Sequence, residues 1–153
     1  MGMTRKEQLI RYLLTGLPIE QVAALPWRAT AGSASSAIRE FLLITSRGNG
    51  RLILPKGWPM DRHSQFQTAE IEAKEEAGVV GTIETRPIGR FSTTKQIGAT
   101  EVPVIVSVYP LKVETVLPQW KEAEERKRMW VPAHDAAALA DDAGLSGLLH
   151  QIC

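Results

Sequence analysis

Residues 57–79 of the chain are GWPMDRHSQFQTAEIEAKEEAGV, a Gly- and Pro-rich start followed by a run of small and acidic residues. The start of this segment predicts a loop. Ser64, with Gln67 three residues later, has the spacing of a capping box and predicts the first turn of a helix. We expect that helix to run to about Ala77 and to end at Gly78, because glycine readily adopts the left-handed conformation that follows a helix.

Three carboxylates share one face of this predicted helix. Glu72, Glu75 and Glu76 occupy a sector of roughly 100° when each residue turns the helix by about 100°. Like charges at this spacing repel each other, and the repulsion grows when water is excluded. A hard divalent cation such as Mg²⁺ would relieve it, especially beside a substrate that carries phosphate. A solvated acidic face is the alternative interpretation of the same spacing.

Strands are predicted on both sides of this helix. The alternation of valine from Val102 to Val108 predicts a strand with one face in the core. Near the start of the chain, Thr4 and Glu7 have capping-box spacing and predict a helix that ends at Gly16. The expected strands are 21–28, 39–46, 51–54, 83–91 and 102–108, with a Gly/Ser-rich turn at 30–36 and one or two helices across 132–152.

The order of these elements predicts the architecture. Helix, strands, helix, strands and helix favour an α+β fold in which a mixed sheet carries helices on both faces, an αβα layered sandwich. No repeat or long Pro/Ser-rich linker divides the chain. We therefore expect an N-terminal helical extension at 1–18 followed by one domain at 19–153.

Composition excludes several classes of function. Lys and Arg total 18 against 17 for Asp and Glu, so the net charge of +1 argues against a nucleic-acid binder or a membrane-surface protein. The one cysteine, Cys153, excludes a disulfide framework and a cysteine-rich metal site. Charged residues interrupt the N-terminal segment, and no stretch has the roughly 20 apolar residues of a membrane span. We expect a soluble, cytoplasmic protein whose charged ligand is recognised locally; its oligomeric state stays open.

The segment 57–79 resembles the Nudix box, a pattern that fixes both spacing and chemistry over 23 residues. The resemblance implies a Nudix-type mixed sheet and hydrolysis of a diphosphate bond with Mg²⁺ or Mn²⁺. It also implies that Glu72, Glu75 and Glu76 are the catalytic and metal-binding residues, with the backbone carbonyl of Lys56 as a further ligand. The positions that match the box are Gly57, Glu72, Ala73, Glu75, Glu76, Gly78 and Val79.

Two positions depart from the box. His63 stands where the box has Glu, and Ile71 stands where it has Arg. In the family that Arg helps hold the glutamates by ion pairing, so we expect either a replacement cation, with Lys56 or Arg62 as candidates, or reduced activity. The alternative function is a catalytically weakened Nudix-fold module that binds a ligand or partner.

The flanking segments are similar to the diphosphoinositol polyphosphate phosphohydrolase group and its bacterial relatives. They carry the motifs Ala23-Ala24-Leu25-Pro26-Trp27-Arg28, Ser46-Arg47 and Arg126-Lys127-Arg128-Met129-Trp130. This similarity implies that the substrate-binding residues are Arg28, Arg47, Lys56, Trp58, Arg126 and Arg128, since guanidinium groups form strong paired bonds to phosphate.

Several alternatives stay open within that resemblance. The basic residues at 126–128 are as readily explained by pairing with Glu122, Glu124 and Glu125 just upstream. Trp58 suits core packing or stacking on a nucleobase, so nucleoside diphosphate derivatives, dinucleoside polyphosphates and diphosphoinositol polyphosphates are all candidate substrates. The residue that takes the proton from water is undecided among Glu101, Glu122, Glu124 and Glu125.

Overall fold

The structure is a computed structural model that describes residues 3–30 and 38–153. Its helices are α1 (Arg5–Thr15), α2 (Gln65–Glu72), α3 (Ala133–Leu139) and α4 (Ala143–Ile152). Its strands are β1 (Ile19–Thr30), β2 (Ile38–Thr45), β3 (Leu52–Ile53), β4 (Lys56–Gly57), β5 (Val79–Ile83), β6 (Gly89–Ile97), β7 (Thr100–Val116) and β8 (Arg128–Pro132). A five-residue π-helical turn, Ala73–Ala77, continues α2.

The strands of the described chain form one mixed sheet. Its main path runs β3-β2-β1-β7-β5, while β4 pairs with β1, β6 with β7 and β8 with β2. Strands β1 and β7 are parallel, from Ile19 opposite Val104 to Trp27 opposite Lys112. The remaining pairs are antiparallel. The long strand β7 therefore joins the two halves of the sheet.

Helices cover both faces of this sheet. On one face, α2 and its π turn bury Ala69, Ala73 and Ala77 at four-residue intervals against β1 and β2. These side chains are small, so the helix lies close to the strands, and Glu72 packs against Gly57 of β4. On the other face, α3 and α4 bury residues such as Ala136 and Leu149. The predicted α+β fold with αβα layers is confirmed.

Several predicted boundaries are wrong, since β7 extends to Val116 rather than ending near 108 and the short strand β8 was not predicted. The strand expected over 83–91 is broken, because β5 ends at Ile83 and β6 begins at Gly89. The residues between them include Pro87, which has no amide hydrogen for a ladder, and β5 and β6 pair with different parts of β7. The loop expected before α2 also carries the two-residue strand β4.

Helix α1 is fixed to the start of β1. Thr4 and Glu7 form the predicted capping box, and Gly16 ends the helix at φ 72°. The buried side chain of Gln8 donates through Nε2 to the carbonyl of Glu20 at 2.8 Å. The division into 1–18 and 19–153 stays a prediction.

Two further predictions concern segments beyond these elements. The Gly/Ser-rich turn predicted at 30–36 lies almost entirely outside the described residues, since 31–37 are not described. Within the described ranges, none of the helices has the length and apolar character needed to cross a membrane.

Candidate active site

The box residues face a cavity of about 860 Å³. One wall is the end of α2 with its π turn, and the others come from β4, β6, the segments that follow β2 and precede β8, and α1. Acidic and basic side chains both line it, so the cavity is suited to a charged ligand. The charged lining residues are Arg5, Arg47, Lys56, Glu72, Glu75, Glu76, Lys95, Glu122 and Arg126.

The two box glycines leave room for the neighbours that build this wall. A Cβ atom at Gly57 would lie 2.3 Å from Oε1 of Glu72, so the carboxylate packs directly against the backbone of β4. Gly78 has φ 65°, and a Cβ atom there would lie 2.7 Å from Cγ of Trp120. Trp120 in turn donates through Nε1 to the carbonyl of Glu76 at 3.0 Å. Both glycines are explained by close approach to the end of α2.

The π turn changes how the three box glutamates are arranged. Hydrogen bonds in a π turn reach one residue further than in an α-helix, which widens the turn and brings residues four apart nearer to one line. Glu72 and Glu76 are both buried, and their side chains are close enough for each to affect the pKa of the other. Glu75 instead lies 3.7 Å from Nζ of Lys121, measured from its Oε2. The carboxylates thus form a pair and a neighbour rather than an even triad.

Burial dominates the protonation of the Glu72–Glu76 pair. The pKa of Glu72 is raised from 4.5 to about 8, first by burial and then by the charge of Glu76. The pKa of Glu76 is also raised by burial, although Arg126 opposes this effect. The pair therefore holds a proton near neutral pH when no cation is present.

The donor set fits a hard divalent cation, which would stabilise the ionised form of both side chains. The oxygens of Glu72 and Glu76 are the type of ligand that Mg²⁺ and Mn²⁺ prefer. In the ranges 3–30 and 38–153, no three acidic, His or Cys side chains are already gathered in metal-binding geometry. The metal-ligand roles predicted for Glu72, Glu75, Glu76 and the Lys56 carbonyl stay predictions.

Ile71 cannot form the ion pair of the box arginine, and a cation from another part of the chain pairs with a box glutamate instead. Arg126, in the segment before β8, is buried and places Nη2 3.5 Å from Oε2 of Glu76. Its Nε donates to Oε1 of Glu122 at 2.9 Å, and its Nη1 donates to the carbonyl of Thr45 at 3.1 Å. The guanidinium therefore has partners on three sides and holds Glu76 in place.

The two predicted replacement cations are not the ones that form this ion pair. Arg62 is exposed in the loop before α2 and does not line the cavity. Lys56 contacts Glu76 through its backbone amide at 3.2 Å, while its Nζ donates to Oε1 of Gln21 at 2.9 Å. The pKa of Lys56 is lowered to about 8, chiefly by burial and next by the charge of Lys95. Sequence spacing could not identify Arg126 because it depends on the packing of a distant loop.

The structure brings four of the six predicted substrate-binding residues to the cavity: Arg47, Lys56, Trp58 and Arg126. Arg28 lies elsewhere, where its Nε donates to Glu40 at 2.8 Å and its guanidinium stacks over Trp130. Arg128 stacks over Trp120 and donates to the carbonyl of Leu117 at 2.9 Å. The positions of Arg28 and Arg128 suit structural roles, and the substrate contacts predicted for them stay untested.

The remaining box departure and the four candidate bases are also placed, and of these Glu101 and Glu124 are exposed and do not line the cavity. His63 contacts the carbonyl of Asp61 through Nδ1 at 2.8 Å and does not line the cavity. Glu122 lines the cavity beside Arg126, which confirms one of the pairings expected for 126–128. Glu125 is half-exposed and pairs with Arg47 at 3.6 Å.

Sequence reasoning missed three residues of the site: Arg5, Lys95 and Trp120. Lys95 had a usable signal, because Phe91, Thr93 and Lys95 alternate along β6 and share the face that turns inward. No comparable signal marked Arg5 or Trp120, whose positions depend on how α1 and the segment after β7 pack.

The sequence relatives of this chain agree with its resemblance to the Nudix box. The chain is 32% identical over 118 residues to Nudix hydrolase 18, mitochondrial, of Arabidopsis thaliana, which is 75% of this chain and 65% of that protein. It is 30% identical over 125 residues to Nudix hydrolase 17, mitochondrial, of the same plant, covering 79% of this chain and 66% of the relative. No family model matches the chain. The chain spans about two thirds or less of the length of these relatives.

Solved structures share the fold. The Caenorhabditis elegans Ap4A hydrolase binary complex matches with a TM-score of 0.63 and 22% identity, over 88% of this chain and 94% of that one. The NUDIX domain of Shewanella oneidensis NrtR, crystallised with ADP ribose, matches with a TM-score of 0.61 and 19% identity, over 98% and 99% of the two chains. The box in this chain, the sequence relatives and the shared fold together show that the chain belongs to the Nudix family.

Proposed function

We propose that this chain is a divalent-metal-dependent hydrolase that cleaves the diphosphate bond of a small phosphorylated substrate. The observation that carries the proposal is the buried Glu72–Glu76 pair, packed against Gly57 on one wall of a cavity whose other walls are cationic. Such a pair accommodates a divalent cation, and the facing cations attract the phosphates of a substrate. The names of the relatives agree with a hydrolase.

Each residue of the cavity has a proposed task. Glu72 and Glu76 hold Mg²⁺ or Mn²⁺, and Glu75 and the Lys56 carbonyl are the proposed further ligands. When bound, the metal polarises diphosphate oxygens and lowers the pKa of a water. Arg126 keeps Glu76 oriented toward the cavity.

Glu122 is the proposed acceptor of the proton from the attacking water. Of the four carboxylates considered for this task, it is the one that lines the cavity in the described part of the chain. Its Oε1 is held by Arg126, which fixes the side chain beside Glu76. A fixed carboxylate within reach of the reacting water is what general-base catalysis requires.

The proposed substrate class is a diphosphate with a second moiety: a nucleoside diphosphate derivative, a dinucleoside polyphosphate or a diphosphoinositol polyphosphate. Arg47, Lys56 and Lys95 line the cavity together with the box glutamates. We propose that these cations, rather than a metal alone, neutralise the substrate. The proposed location is the cytoplasm.

The test is hydrolysis of a substrate panel with Mg²⁺ or Mn²⁺. The panel contains dinucleoside polyphosphates, ADP-ribose, nucleoside triphosphates and diphosphoinositol polyphosphates. We expect metal-dependent turnover of at least one member, reduced about 100-fold or more by Glu76→Gln. Glu70→Gln, on the same helix but outside the cavity, is the matched control and should retain full turnover.

The alternative is a Nudix-fold module that binds a phosphorylated ligand without cleaving it. One observation favours it, since Glu75 pairs with Lys121 and does not join the other two box glutamates. Tight binding of a panel member, with no metal-dependent release of phosphate products, would establish this alternative and reject the hydrolase.

A further inference from the structure

A second cavity opens beside the first. It has a volume of about 430 Å³ and shares Arg47, Lys56 and Lys95 with the larger cavity. Arg51, from the start of β3, adds a fourth cation that the larger cavity lacks. The two cavities are therefore adjacent parts of one groove; the box glutamates line only the larger part, and we call the smaller part the basic end.

The acidic residue of the smaller cavity neutralises its cations only in part. Asp142 lies in this cavity, but both of its oxygens are in use. Its Oδ1 accepts the amide of Leu145 at 2.9 Å as the N-cap of α4, and its Oδ2 accepts the hydroxyl of Thr93. Its charge still acts on Lys56, but the pKa-lowering effects of burial and of Lys95 on Lys56 are larger, so one carboxylate does not balance the four cations of this cavity.

Lys95 is, like Arg5, Arg51 and Lys56, a groove cation without an ion-pair partner among the described residues. Within residues 3–30 and 38–153 it has no carboxylate at ion-pair distance, whereas Arg5 and Arg47 are near enough to repel it. Its pKa is lowered by partial burial first, and then by Arg5 and Arg47. Gathering these cations costs free energy, and an anion bound between them would recover it.

Helix α1 contributes Arg5 to the larger cavity, close enough to Lys95 to lower the pKa of that lysine, and restricts the Trp58 ring in the same cavity. The guanidinium of Arg5 lies 5.2 Å from the centroid of the Trp58 ring. This cation–π contact uses the indole face that a nucleobase would otherwise stack on. At this point the groove therefore favours a charged group of a ligand over an aromatic one.

We propose that the basic end of the groove, built around Arg51 and Lys95 and bordered by Arg5 of the N-terminal helix, is a subsite for the phosphates distal to the cleaved bond. Its ligand is a polyphosphate or densely phosphorylated group, bound without recognition of a base. The assignment as a substrate subsite rests on the proposed hydrolase function. The capacity of the groove to bind a polyanion does not.

The experiment is calorimetric binding of inorganic tripolyphosphate without divalent metal. Lys95→Gln should weaken binding about tenfold, since a charged hydrogen bond is lost. Arg90→Gln, the same change on the outward face of β6, is the matched control and should alter affinity less than about twofold. Equal affinity of Lys95→Gln and the unchanged chain, or equal losses in both variants, would overturn the proposal.

A second pair of variants avoids any effect of Lys95 on folding. Arg5→Gln should weaken tripolyphosphate binding several-fold, while Lys6→Gln, also exposed on α1, should not. Parallel losses in these two variants would reject the role of Arg5. Since no metal or turnover is involved, loss of binding in Lys95→Gln supports the subsite even if the chain fails the hydrolysis panel.

Kinetics then links the subsite to catalysis. For a substrate with three or more phosphates, Lys95→Gln should raise KM about tenfold and leave kcat within about twofold. A loss confined to kcat would contradict a role in binding distal phosphates.

Discussion

At the scale of single residues, Arg126 decides how the carboxylates of the site are held. It is a buried cation with Glu76 on one side and Glu122 on the other. A buried charge that loses its partner is costly, so removal of this guanidinium affects both folding and the position of Glu76. Ile71, at the box Arg position, lies instead in a separate, largely apolar cleft with Trp120.

We predict that Arg126→Gln lowers the free energy of unfolding by about 3 kcal/mol, because the buried Glu76 and the partly buried Glu122 lose their counter-ion. It should also weaken Mn²⁺ binding, since Glu76 is no longer oriented. Chemical denaturation and metal titration measure the two effects. Lys127→Gln is the control, because Lys127 is exposed beside it, and equal effects in both variants would contradict the prediction.

The raised pKa of Glu72 predicts how stability depends on pH without metal. The folded-state pKa of about 8 is above the ordinary 4.5, so folding favours the protonated carboxyl. This contribution is complete below pH 4.5 and is lost as pH rises to about 8, with a slope of at most about 1.4 kcal/mol per pH unit. Denaturation at several pH values should show the slope, and Glu72→Gln should remove it. An unchanged slope in that variant would contradict the assigned pKa.

At the scale of elements, the end of α2 is fixed by contacts from outside the helix. The π turn, Gly78 and Trp120 act together, because the tryptophan packs on the glycine and donates to the carbonyl of Glu76. Arg128 stacks on the other side of the same ring. The catalytic wall is thus supported by the segment between β7 and β8.

We predict that Gly78→Ala is more destabilising than Gly98→Ala. Both glycines have positive φ, 65° and 60°, so each alanine costs about 1–2 kcal/mol for that backbone conformation. A Cβ atom at Gly78 also meets Trp120, whereas at Gly98 it meets nothing within 4 Å. The difference between the free energies of unfolding of the two variants measures the cost of placing a Cβ atom against Trp120. A difference near zero would show that Trp120 moves away without cost.

Many features of the individual helices and strands were predictable, because they depend on residues that are close in sequence. The capping box at Ser64, the helix end at Gly78 and the inward alternation of β7 all follow from nearby residues. The break between β5 and β6 was not predicted. The residues from Ile83 to Phe91 fit the pattern of one strand, although Pro87 interrupts the pairing there. The partner of Glu76 was not predictable either, because Arg126 lies 50 residues further along the chain.

At the scale of the whole molecule, a net charge of +1 conceals two separated charge clusters. Glu72, Glu75 and Glu76 form one cluster in the larger part of the groove, and Lys95 and Arg51 belong to a second cluster that extends into the smaller part. The like charges within each cluster repel each other, and this repulsion lowers the stability of the folded chain. A bound ligand of opposite charge relieves the repulsion.

We predict that Mn²⁺ stabilises the whole domain by linkage. At a free concentration about 100 times its Kd, the gain is about 2.7 kcal/mol if the metal binds the folded state alone. Thermal unfolding with Mn²⁺ and with excess chelator measures it. The gain should vanish in Glu72→Gln but persist in Glu70→Gln. Equal stabilisation of both variants would place the metal away from the box.

The origin of Arg126 changes what a sequence signature for this active site should contain. The structure requires a guanidinium beside Glu76, and the backbone that delivers it here is the segment before β8 rather than α2. A search pattern that insists on arginine at position 71 would discard this chain although the ion pair is present. For such chains, the arginine is better encoded as a contact in space, so pairs of distant positions are the proper unit for recognising them.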